Sequence, residues 1–178
     1  MTIAAVPHPA PRPPGLPARA GRIVLGLGEW YVTADPDDTL VCMGLGSCVA
    51  LCAYDPIAEV AGMAHMVLPD STMARNGAAG PRFVDAAVPL VLDTMVERGA
   101  LRTRVRVHLV GGAHVLAVTT PGPQIGDRNL EAAIRALARR NLHAKYEHTG
   151  GTKGRTVKLT VASGEVVVAT AGSGATSV

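Results

Sequence analysis

Residues 44–69, GLGSCVALCAYDPIAEVAGMAHMVLP, constrain this chain more than any other stretch. Two apolar runs, SCVALCAYD and VAGMAHMVL, are joined through YDPIAE. Both are rich in Val, Leu and Met, and they predict two adjacent strands. Each run carries one group that a plain core does not need. Cys48 follows a glycine-rich turn, and His65 lies between Ala64 and Met66, where an imidazole must find a partner or be costly. Neighbouring strands can bring the two side by side. The pair then reads either as ordinary core, since free cysteine is among the most buried residue types, or as a thiol with its base.

The rest of the chain sets the context. With 178 residues, 48% of them apolar, it suits one domain that buries its core without disulfide or metal staples. No run approaches the roughly 20 apolar residues that cross a bilayer, and the N-terminus lacks the apolar segment of a secretory signal, so a cytoplasmic location is expected. Cys42, Cys48 and Cys52 are odd in number, and their C-x5-C-x3-C spacing fits no common zinc pattern. Reduced thiols, no metal and no cofactor are expected.

The net charge of +3 invites a nucleic-acid reading, but three of the 17 basic residues, Arg12, Arg19 and Arg22, sit in a leading segment with no acidic residue. Residues 23–178 balance 14 basic against 14 acidic side chains. RTRVRVH would place Arg102, Arg104, Arg106 and His108 on one side of a strand, where they could meet phosphates. Aromatic residues make up only 3% of the chain, too few for base stacking, so a solvated strand face is preferred and no nucleic-acid partner is expected.

PHPAPRPPGLP denies its backbone both helix geometry and ladder donors, and residues 1–21 read as a disordered arm. A single domain is expected over 22–170, with a flexible tail at 171–178. RIVLGLGEWYVT and DDTLVCM read as two strands ahead of the pair already described. RFVDAAVPLVLDTMVERG spaces Val84, Val88, Val91 and Met95 as a helix that Gly99 stops and Pro89 should kink or shorten. A strand RVRVHLVGG follows. The next helix, DRNLEAAIRALARRN, has Asp127 as N-cap and Leu130, Ile134 and Leu137 on one face. RTVKLTVA and EVVVAT flank Ser163 and Gly164 as a hairpin. The fold class is mixed α/β, largely antiparallel, with at least two packed helices.

Other motifs fail on inspection. GLGSCV puts Val49 where a dinucleotide fingerprint needs its third glycine; GGTKGRT has Lys153 and Thr156 in the wrong order for a P-loop; LGSCV is not a serine elbow. A cysteine at a glycine-hinged strand entry, with backbone N–H groups of Gly46 and Ser47 close by, suits a nucleophile and an oxyanion hole.

GLGSCVALCAYDP, AGMAHMVLP, VGGAHV, IGDRN and TGGTKGRTVKL, in this order, resemble the CheD family of chemoreceptor glutamine deamidases, from about Ile23 to Val168. The resemblance implies a three-layer α/β cysteine hydrolase that converts selected chemoreceptor glutamines to glutamate in bacterial chemotaxis. It implies chemoreceptor cytoplasmic helices as substrate and a CheC-type phosphatase as partner. It places the nucleophile on Cys48 and the general base on His65. The family's third residue, a threonine six positions before the nucleophile, is Cys42 here, and a thiol is a weaker hydrogen-bonding group than a hydroxyl. That substitution favours a rival reading, a non-catalytic adaptor of the same fold that binds a phosphatase or a receptor helix.

Overall fold

The computed structural model describes residues 21–74, 80–115 and 122–178; the arm expected over 1–21 lies, but for Gly21, outside them. RIVLGLGEWYVT, expected as one strand, forms two. β1 (Arg22–Leu25) and β2 (Trp30–Thr33) belong to different sheets. The break is built at Gly28, whose φ is +77° and where a Cβ would come 2.8 Å from the Arg82 Cβ. Only glycine makes that turn without strain.

Eight further strands follow among the described residues: β3 (Thr39–Leu45), β4 (Val49–Asp55), β5 (Val60–Met66), β6 (Arg106–Gly111), β7 (Ala144–Thr149), β8 (Arg155–Thr160), β9 (Val166–Thr170) and β10 (Ala175–Ser177). They form two sheets, β1-β3-β8-β9-β10 and β2-β5-β4-β6-β7. Only β1 with β3 and β6 with β7 pair in parallel.

Alternation along the strands decides the layers. Every residue of β4 and β5 is buried. Val49, Leu51, Ala53, Ala64 and Met66 pack with the helices α1 (Val84–Glu97) and α2 (Ile125–Ala138) in one core. Ala50, Cys52, Tyr54, Ala61 and Met63 pack against the other sheet in a second core. Helices, sheet and sheet make three layers, the mixed α/β arrangement expected.

Details depart from the sequence reading where tertiary packing overrides local signals. α1 buries Val84, Val88, Val91 and Met95 as spaced, but it runs unbroken through Pro89. The carbonyl that Pro89 leaves without a donor is that of Asp85, which is itself half-buried, so water can serve it. In α2 the N-cap is Gln124, and Asp127 is the third helical residue, accepting the Gln124 N–H at 3.0 Å. Its buried face comprises Gly126, Asn129, Ala132, Ala133 and Leu137, while Ile134 is 40% exposed.

Arg102–Arg104 form a short 3-10 turn in place of a strand. Arg104 pairs with the fully buried Asp55 and Arg102 with Asp93. Burial alone would raise the Asp55 pKa, but the Arg104 guanidinium and the N–H groups of Ile57, Leu101 and Ala58 hold it well below the usual carboxylate range. The tail expected over 171–178 instead contains β10, antiparallel to β9, and the Val178 N–H donates to the Val166 carbonyl at 2.9 Å.

Candidate active site at the N-terminal end of β4

The turn Gly46–Cys48 carries the chain from β3 into β4, and its three carbonyls are each engaged. Gly46 accepts from the Ala113 N–H at 2.7 Å, Cys48 from the Gly112 N–H at 2.8 Å, and Ser47 from the Asn129 side-chain amide at 2.9 Å. Gly111 of VGGAH is needed for this approach, because a Cβ there would lie 2.2 Å from the Cys48 carbonyl oxygen. In a trans peptide the C=O and the following N–H point opposite ways. Fixing the Gly46 and Ser47 carbonyls therefore aims the N–H groups of Ser47 and Cys48 the other way. Cys48's own N–H lies against its sulfur.

His65 is carried by β5, with Ala50 opposite His65 and Val49 opposite Met66. Cys48 is one residue before Val49, so it shares the face of Ala50, and it is the diagonal neighbour of His65 on the side toward the other sheet. Diagonal neighbours have Cα atoms about 7–8 Å apart, within reach of a thiol and an imidazole. His65 is 2% exposed, and its Nδ1 lies 3.2 Å from the Leu25 carbonyl oxygen. A carbonyl only accepts, so Nδ1 carries the hydrogen and, in the neutral ring, Nε2 carries the lone pair. Nε2 is buried with no partner among the described residues.

The β1–β2 connection also holds the histidine by its backbone: the His65 N–H donates to the Glu29 carbonyl and the Gly28 N–H to the His65 carbonyl, both at 2.9 Å. Burial lowers the His65 pKa, with the Leu25 carbonyl and the Glu29 charge pulling the other way. Burial raises the Cys48 thiol, partly offset by its own N–H. Both shifts favour uncharged forms, so the resting pair is a thiol beside a neutral imidazole.

Cys42 is fully buried in the same inter-sheet core, where burial, followed by the nearby Cys52, Cys48 and Glu29, pushes its thiol pKa well up. It has no hydrogen bond to His65 among the described residues; the Leu25 carbonyl lies at the ring's Nδ1 instead. Cys52 is buried, its thiol pushed up to about 12, as befits a core residue. Among the described residues no cluster of three or more His, Cys, Asp or Glu side chains is arranged to hold a metal.

Three contributors were not foreseen. Asn129, fully buried, donates at 2.9 Å to both Ser47 O and Val67 O, tying the thiol's turn to the end of the histidine's strand. A polar residue on the inward face of a helix otherwise lined by Gly, Ala and Leu was the available signal. The Leu25 carbonyl left none, because any residue supplies one. His114 Nε2 lies 2.9 Å from Asp127 Oδ1, and the His114 N–H donates to Gly151, bracing the loop after β6.

The family model described as CheD chemotactic sensory transduction matches residues 67–170, beginning just after His65. A "Probable chemoreceptor glutamine deamidase CheD" of Symbiobacterium thermophilum is 44% identical, covering 84% of this chain and 93% of its own. The "Chemoreceptor glutamine deamidase CheD" of Thermotoga maritima is 36% identical, covering 85% and 93%. Among solved structures, the hypothetical protein YfiH of Bacillus licheniformis overlaps 68% of this chain and 51% of its own, at a TM-score of 0.45 and 16% identity. By the family model and by identity over most of its length, the chain belongs to the CheD family.

Proposed function

We propose that this protein is a protein-glutamine deamidase, a cysteine hydrolase that converts chemoreceptor glutamine side chains to glutamate. The observation that carries the reading is the buried Nε2 of His65, without a partner among the described residues, on the same sheet face as Cys48. Nε2 takes the thiol proton as sulfur attacks the carboxamide carbon, and the carbonyl oxygen becomes an oxyanion facing the N–H groups of Ser47 and Cys48. The C–N bond then breaks, and ammonia leaves with the proton from the imidazolium. Water, activated by the same imidazole, hydrolyses the thioester, releasing glutamate and the thiol. Because neither group is charged at rest, the proton moves during attack and not before it.

The substrate is a cytoplasmic helix of a chemoreceptor, and a CheC-type phosphatase is the partner this reading carries with it. No helix among the described residues is long and apolar enough to cross a membrane. The adaptor reading drew on the missing threonine at position 42. It loses that support because the Leu25 carbonyl meets the ring nitrogen in its place.

The test is receptor deamidation followed by peptide mass spectrometry for the glutamine-to-glutamate mass gain. Cys48→Ala should abolish it in a folded protein, whereas Cys52→Ala, which deletes one small buried group, should keep it. Equal loss in both folded variants would falsify the assignment of Cys48.

A further inference from the structure

A cavity of about 400 Å³ opens between the two sheets at the end of β4 remote from Cys48, and among the described residues its lining includes no Asp or Glu side chain. Register explains what it contains. On the inter-sheet face Cys52 lies opposite His108 and Tyr54 opposite Arg106; across β6 and β7, His108 lies opposite Lys145. His143, one residue before Ala144, falls beside Arg106 because Ala144 pairs with Val107. Four basic side chains thus occupy a two-by-two grid, about 4.8 Å between strands and about 6.7 Å along them.

Positions that should be apolar by alternation, like Val110 further along β6, are here basic, and like charges opposite one another are unfavourable. No carboxylate among the described residues pairs with Arg106 or Lys145; the ion pairs of this region go to Arg102, Arg104 and Arg140. The facing wall is Leu159, Val166 and Val178, and the hairpin at Ser163 and Gly164 closes one side. That hairpin is fixed in place: a Cβ on Gly164 would fall 2.2 Å from the Tyr54 ring.

We infer that this cavity binds a small phosphorylated molecule carrying at least two negative charges. A phosphoryl group offers several acceptor oxygens to the Arg106 guanidinium, the Lys145 ammonium and the His143 imidazole at this spacing, with the Ser163 hydroxyl as a further donor. The Tyr54 ring and the aliphatic wall take an organic portion, as ligand pockets of this size commonly do. The site is separate from the thiol, so it binds without contact with Cys48 or His65.

The probe is pyrophosphate, titrated into the full chain at constant ionic strength while the imidazole C–H signals of His108 and His143 are followed by NMR. Saturation at one equivalent is expected. Arg106→Gln and Lys145→Gln, both at exposed positions, should each weaken binding about tenfold or more while melting as the wild type does. Receptor deamidation by both variants should be unchanged, so a failure here is distinct from a failure of the deamidase assignment. The proposal is overturned if potassium chloride reproduces the shifts, if neither variant alters the affinity, or if no saturation occurs. Equal saturation by succinate would overturn the phosphoryl assignment.

Discussion

Replacing Asn129 by alanine removes both hydrogen bonds that hold the thiol's turn to the histidine's strand, while leaving every residue of the proposed chemistry in place. The Ser47 and Val67 carbonyls, each met at 2.9 Å by the Asn129 amide, lose that donor at a fully buried position. A buried acceptor left unmet costs about 1–3 kcal/mol, so two cost about 2–6 kcal/mol. The Asn129 Oδ1 is itself buried without a partner among the described residues, and its removal offsets about 1–3 kcal/mol of that. The net loss is then about 2 kcal/mol, which at about 2–4 °C per kcal/mol for a domain of this size lowers the melting midpoint by about 4–8 °C. The kinetic effect is separable. A displacement of about 1 Å between nucleophile and base costs about 100-fold in rate, so kcat measured well below the variant's melting range should fall at least tenfold, with KM little changed. Differential scanning calorimetry and timed mass spectrometry of receptor peptides give the two numbers. A variant that melts within 2 °C of the wild type and deamidates at its rate would refute the clamp.

Cys42→Thr should change kcat less than about threefold, because the ring nitrogen is already met by Leu25, while the buried hydroxyl costs about 1–3 kcal/mol if it finds no partner. A tenfold rise in rate would instead make position 42 the orienting group. Stability should depend on pH through His65. Its folded pKa is depressed, so the contribution is complete above the unfolded value of about 6.5 and is lost as pH falls through the folded one. The melting midpoint of the wild type should therefore drop between about pH 7 and 5 more steeply than that of His65→Gln, and parallel curves would contradict this. Deleting residues 1–20, a proline-rich segment without apolar periodicity, should leave the melting midpoint within about 2 °C, as a thermal scan of the truncated chain can check.

What could be read in the sequence was governed by range. β4 and β5 were legible because their apolar runs are continuous, and α1 because Val84, Val88, Val91 and Met95 mark one face. β7, AKYEHT, was missed because it is an edge strand with no apolar period, and β10 because Ala175, Thr176 and Ser177 are small and carry no apolar pattern of their own. The split of RIVLGLGEWYVT between two sheets depends on Gly28 meeting Arg82, a contact no local pattern encodes. In the site, Cys48 and His65 announced themselves as polar groups in apolar runs. The Leu25 carbonyl could not, since main-chain acceptors carry no residue signature, and Asp127 was taken for a cap because its second role, beside His114, comes from the loop after β6.

The two halves of the proposed dyad hang from parts of the fold that open at different rates. Cys48 leads into β4, which is laddered on both sides by β5 and β6, so its amides should exchange with solvent only when the whole domain unfolds. The Leu25 carbonyl ends β1, the outer strand of one sheet, and its connection leads directly into β2, the outer strand of the other. Fraying there frees the imidazole to rotate while the thiol stays where it was. On warming, the protein should lose its proton acceptor first, and catalysis should fade below the temperature at which the strands part.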